Sequence, residues 1–162
     1  MNIDQETTKM QRTVDGLAEL QQLVGQEVAV SNWFVVSQTL INEFAEVTAD
    51  RQWIHVDPEI AKVKSPTKTT IAHGFFTLSL VSHLHGEAVR IQGDFSRGIN
   101  YGFNRIRFPA PVPAGARIRL HSTLKAAEEI DGGIQCTWDL LMEIEEQSKP
   151  AFVAEWLVRL YR

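Results

Sequence analysis

Along the chain the apolar and polar residues change period several times, and each change marks the boundary of an element. Over residues 13–24, Val14, Leu17, Leu20, Leu23 and Val24 recur at helical spacing and Gly25 follows as a stop, which predicts a short amphipathic helix. Residues 27–36, rich in Val, Trp and Phe, predict a strand. Ser37 can cap a second helix with a buried stripe of Leu40, Ile41, Phe44, Ala45 and Val47, ending near Thr48 and Ala49. Residues 50–57 follow neither period and predict an irregular loop. Asp57-Pro58 opens one more helical turn through Glu59, Ile60 and Ala61, and the polar stretch 62–70 predicts a mobile loop.

Between His73 and Val89 apolar residues lie almost all the way round, the mark of a buried helix. Beyond it come four Val-, Ile- and aromatic-rich segments, 99–108, 117–129, 133–145 and 151–161. They are joined by turn chemistry at Pro109 to Gly115, Asp131-Gly132-Gly133 and Gln147 to Pro150, and links this short make antiparallel neighbours. The predicted fold class is α+β: an antiparallel β-sheet of five or more strands wrapped around a long central α-helix. No repeat or linker interrupts it, so residues 13–162 read as a single domain behind a polar, flexible N-terminus, residues 1–12.

Composition narrows the function classes. At 162 residues and 44% hydrophobic content the chain can bury a core without staples. A net charge of -4 with no Lys/Arg run leaves no electrostatic footprint for nucleic acid. Glu143, Glu145 and Glu146 read as a solvated strand end. The one cysteine, Cys136, forms no intrachain disulfide and no Cys-rich zinc site, which fits a reducing compartment. With no run of 18 apolar residues and no signal-like stretch in the first 25, a soluble cytoplasmic protein without membrane contact is expected.

Two features carry candidate chemistry. Asp50 and His55 lie five apart on one loop, where a carboxylate and an imidazole can hold and activate a water. The same spacing also suits a turn-capping aspartate and a histidine bonded to a backbone carbonyl. His73-Gly74 opens the buried helix; glycine permits close approach, and free first-turn N–H groups suit an oxygen on which negative charge develops. A tight turn ahead of a packed helix is the alternative there. His83 and His85, two apart, diverge by about 200° on a helix and cannot chelate one metal from it. Cys136 has no adjacent base, Arg105 and Arg107 read as strand solubilisers, and neither a Gly-x-Ser-x-Gly elbow nor a Gly-rich phosphate loop occurs.

Three blocks together resemble a known family: Thr48-Ala49-Asp50-Arg51-Gln52-Trp53-Ile54-His55, then Ala72-His73-Gly74-Phe75-Phe76-Thr77, then Asn100-Tyr101-Gly102-Phe103-Asn104-Arg105-Ile106-Arg107-Phe108-Pro109-Ala110-Pro111-Val112. They are similar to the MaoC-like dehydratases, the R-specific enoyl-CoA hydratase group, and most of all to its nodulation-protein-N-like branch. The resemblance implies a hot-dog fold and a homodimer, or a higher hot-dog oligomer, with sheets joined edge to edge. It also implies reversible hydration of 2-enoyl thioesters to (3R)-3-hydroxyacyl thioesters, on acyl-CoA or an acyl carrier protein thioester, without cofactor or metal. By the same resemblance Asp50 and His55 are the catalytic pair, Gly74 is the backbone donor to the thioester carbonyl, and Ser82, Gln52 and His73 are supporting residues. Ala49 replaces a family glycine, Gln52-Trp53 replaces Asn-Pro, and Lys68-Thr69 replaces a small Gly-rich pair. These departures imply a pocket wall altered by Trp53 and a loop repositioned over the site. A hot-dog acyl-CoA thioesterase using Asp50, and a non-catalytic acyl-thioester-binding protein, are the alternatives.

Overall fold

The computed structural model describes residues 10–162, so most of the flexible N-terminus expected over residues 1–12 lies outside the described residues. The first departure from apolar periodicity follows at once. A strand, β1 (Arg12–Asp15), precedes a two-turn helix, α1 (Gly16–Gln22), where one helix over 13–24 was expected. Val14 is fully buried by parallel pairing with the distant segment Val89–Gln92, and Gly16, at φ 67°, turns the chain out of that pairing.

The expected first strand is likewise two pieces, β2 (Glu27–Val30) and β3 (Phe34–Val35). Buried Ser31 stands between them and takes over the ladder: its N–H donates to the Leu120 carbonyl and its hydroxyl accepts from the Leu120 N–H, each at 2.9 Å. The next helix, α2 (Gln38–Thr48), begins where predicted, with the Ser37 hydroxyl accepting from the Leu40 N–H at 3.3 Å. Ile41 and Ala45 are buried, but Val47 is 83% exposed, so the buried stripe ends one turn early.

Residues 50–57 are less irregular than expected, because the Gln52 carbonyl accepts from the N–H groups of His55 and Val56 and starts a short helix, α3 (Trp53–Val56). Asp57 then caps α4 (Pro58–Lys64) by accepting from the Ile60 N–H at 2.8 Å. The stretch expected to be a mobile loop is tied down: Ser65 and Thr70 are buried, and the Thr67 hydroxyl donates to the Thr69 carbonyl at 2.9 Å.

The central helix is two consecutive segments, α5 (Gly74–Ser79) and α6 (Val81–Ala88), meeting at Leu80. The hydroxyls of Thr77 and Ser79 bond back to the carbonyls of Gly74 and Phe76 at 2.7 Å each and compete with the helical ladder just before the break. One flank faces out, with Phe75 71% exposed, so the helix is not covered on every side.

After β4 (Val89–Gln92) come the long strands β5 (Arg97–Arg107), β6 (Arg117–Ile130), β7 (Gly133–Ile144) and β8 (Phe152–Tyr161). They form an antiparallel sheet in the order β2-β6-β7-β8-β5, with β3 also on β6. Ile118, Leu120, Ser122 and Leu124 point in from β6 and pack with Trp138, Trp156, Leu84 and Val81, so the sheet wraps the helix in the hot-dog manner. At the β6–β7 hairpin a side chain on Gly133 would meet the Leu160 carbonyl oxygen at 2.0 Å, which is why glycine stands there. The outward residues pair: Arg119 with Glu143, Arg117 with Glu145, Lys125 with Glu155, so two of the three glutamates read as a solvated strand end are salt-bridged instead. Among the described residues strand β5 pairs on one side only, and it is exposed over most of its length. Among the described residues no helix is long and apolar enough to cross a membrane.

Candidate active site

The site lies where α2, α3 and α5 approach one another. The α2 ladder ends at Ala49 in the left-handed region, φ 59° and ψ 16°, and Asp50 follows directly. From α3, His55 is fixed on three sides. Its Nδ1 faces the Ile71 carbonyl at 2.7 Å, its N–H donates to the Gln52 carbonyl at 2.9 Å, and its own carbonyl accepts from the Gln38 amide at 2.8 Å. Because a carbonyl only accepts, Nδ1 carries the proton and Nε2 keeps its lone pair. The Thr70 hydroxyl in turn bonds the Gln38 amide oxygen. Sequence reasoning missed Gln38 and Thr70; nothing in local spacing connects a helix start to a turn 32 residues later.

His73 closes the arrangement. Standing as the N-cap of α5, it donates from Nε2 to the Asp50 carbonyl at 2.9 Å, and its ring stacks on His55 with centroids 3.7 Å apart and planes at 25°. A carboxylate oxygen of Asp50 and one ring nitrogen from each histidine lie within 4.8 Å of one another. Such a triad could suggest a metal ion, yet stacked imidazoles do not suit one. A metal sits in the plane of each ring about 2 Å from nitrogen, and two nearly parallel planes share no such point. Burial pulls the His55 pKa down, helped by the neighbouring His73 and opposed by the Ile71 carbonyl and Asp50.

His55 and Gly74 line one cavity of about 310 Å³, whose other walls include Thr77, Ile71, Phe108 and Val112. Gly74 is the first residue of α5, so its N–H has no acceptor within the helix. A side chain there would press on the Phe108 ring at 3.2 Å. An imidazole with a free lone pair and a spare backbone donor thus face a mostly apolar pocket, with the Asp50 carboxylate close to the imidazole behind the wall. That set can move protons on a substrate whose carbonyl rests on the N–H. A larger concavity of about 750 Å³ lies over the outer sheet face. There His121 is already held between Glu27 at 2.8 Å and Glu143 at 2.6 Å, so it offers no free base, and the smaller cavity is the candidate site.

Of the residues singled out from sequence, Asp50, His55, His73 and Gly74 gather, although Asp50 and His73 stand behind the cavity wall rather than in it. Ser82 does not join them; it is exposed on α6 and accepts from the Asn100 amide at 3.2 Å. Gln52 is exposed and acts through its backbone carbonyl, its side chain making no cap bond. Trp53 is 40% exposed and does not line the cavity, so it does not remodel the wall as expected. Lys68 takes a left-handed φ of 56° and donates to the Val63 carbonyl at 3.4 Å.

The chain is similar to known proteins over most of its length. The family described as MaoC like domain matches residues 19–142. The 3-hydroxyacyl-thioester dehydratase Z of Mycobacterium tuberculosis is 45% identical over 149 residues, 91% of this chain and 97% of that protein. Nodulation protein N of Rhizobium leguminosarum bv. viciae is 40% identical over 142 residues, 87% of this chain and 88% of that protein. Among solved structures, the unliganded R-hydratase PhaJ1 of Pseudomonas aeruginosa superposes with a TM-score of 0.68 at 21% identity, covering 90% of this chain and 85% of that one, which establishes the shared fold.

Proposed function

This chain belongs to the MaoC-like domain family, and we propose that it is a hydro-lyase interconverting 2-enoyl thioesters and (3R)-3-hydroxyacyl thioesters through Asp50, His55 and Gly74. The observation that carries the reading is that His55, with its lone pair left on Nε2, lines the same cavity as the spare Gly74 N–H. In the hydration direction His55 takes a proton from a water that Asp50 helps to hold, and the oxygen bonds to C3 as the C2–C3 double bond opens. Charge passes to the thioester oxygen, to which the Gly74 N–H donates a hydrogen bond. The proton then returns from the pair to C2, so that one water is added and nothing else is consumed. Positioned acid and base groups of this kind contribute about 10²–10⁴-fold.

Ser82 and Gln52 have supporting roles at most through the backbone and the α6–β5 contact, since neither side chain reaches the cavity. The substrate is an acyl-CoA or an acyl carrier protein thioester, and the enzyme acts in the cytoplasm as a homodimer joined through the exposed β5 edge, which among the described residues has a partner strand on one side only. The test is the ultraviolet absorbance of crotonyl-CoA on mixing with the protein. Loss of the conjugated-alkene band without release of free thiol supports hydration; thiol release identifies a thioesterase, and measurable affinity for acyl-CoA with neither change favours a binding protein.

A further inference from the structure

We infer that His73 is a positioning residue for this hydration: it anchors the Asp50 main chain and backs the His55 ring while giving no atom to the substrate. The inference rests on the functional reading above. His55 is held by hydrogen bonds to Ile71, Gln52 and Gln38. Asp50 is held far less well. It sits just past the end of the α2 ladder, and among the described residues the hydrogen bond that it receives comes from His73. The histidine is itself braced, 4% exposed, with its ring 5.1 Å from that of Phe44, which rests on Phe76 at 5.5 Å.

Its protons are spoken for. The Nε2–H goes to the Asp50 carbonyl, and Nδ1 is buried with no hydrogen-bond partner among the described residues. An orphaned buried acceptor burdens folding, a burden that phenylalanine would not carry. What phenylalanine cannot supply is a flat ring against His55 that also donates to the Asp50 carbonyl. The structure therefore keeps a group that weakens the fold at the point where it fixes the catalytic acid.

The test compares wild type with His73→Phe and His73→Gln, using crotonyl-CoA and reading kcat, KM, the pH profile and the melting temperature. In His73→Phe the stack remains and the orphan nitrogen is gone. Its melting temperature should hold or rise while kcat falls on the order of 10²-fold, the effect of a catalytic group misplaced by about 1 Å, with KM nearly unchanged. Its acid limb should move to higher pH, because His73 helps to hold His55 down. His73→Gln keeps a donor for the carbonyl and should recover part of kcat. Wild-type kcat with an unmoved pH profile in His73→Phe would overturn the inference, as would losses in both variants that only track melting. An inactive wild type would instead overturn the functional reading, and this inference with it.

Discussion

His55 and Ile71 are joined by a single 2.7 Å hydrogen bond from Nδ1–H to the carbonyl, and that bond decides which nitrogen of the imidazole can act as a base. Ile71 is itself fixed to the neighbouring turn, its N–H donating to the Ile54 carbonyl at 3.0 Å. The tautomer is therefore built into the backbone rather than borrowed from another side chain.

Activity should fall on the acid side as His55 takes up a proton. Burial, the largest influence, lowers its pKa from 6.5, so the free base persists below the ordinary histidine range. The acid limb of kcat/KM for hydration should accordingly lie below pH 6.5. A limb at or above that value would mean that a different group titrates.

Gly74→Ala should separate close approach from backbone strain. Gly74 is not in the left-handed region, so alanine fits the helix start, but its methyl group would stand 3.2 Å from the Phe108 ring and crowd the N–H. Turnover should drop by up to about 10²-fold with little change in melting temperature. Full activity in this variant would remove Gly74 from the mechanism.

Acid stability should depend on His85, a core histidine outside the site. It is bonded through Nδ1 to the Ser122 hydroxyl at 3.1 Å and wedged against Trp138 and Trp156. Burial pulls its pKa down from 6.5 to about 4. Above pH 6.5 it is neutral in both folded and unfolded chains, so it has no pH effect there. As the pH falls from 6.5 to about 4 only the unfolded chain gains the proton, so stability drops by up to about 3 kcal/mol and then levels off. Denaturant unfolding of His85→Gln should show a shallower acid loss than wild type; equal slopes would clear His85 of the effect.

Cys136 should be inert in the folded protein. It is fully buried on β7, and burial pushes its thiol up to about 12. A thiol reagent should leave it unmodified until denaturant is added, and rapid modification of the native protein would contradict its placement.

Much of this was legible in the residues themselves. Pro and Gly clusters marked the strand connections, and the blocks around Asp50-His55 and His73-Gly74 pointed to residues that the fold brings together. Local periodicity failed where a distant partner overrode it. Val14 looks helical but is claimed by Ile91, and Ser31 breaks a strand because Leu120 needs both its amide and its hydroxyl. Gln38 is an unremarkable first residue of a helix until folding brings it against the His55 carbonyl 17 residues on. Ser82 illustrates the opposite failure: its place in the chain suggested a role, and its bond to Asn100 takes it elsewhere.

The pairing of Asp50 with the cavity-lining His55 is tested most directly by the rate of crotonyl-CoA hydration in wild type, Asp50→Asn and His55→Gln, with melting temperatures measured alongside. Hydration by wild type and a loss of at least about 10²-fold in each variant, at unchanged melting, is the predicted result. Near-wild-type rates in both variants with intact folds would contradict it.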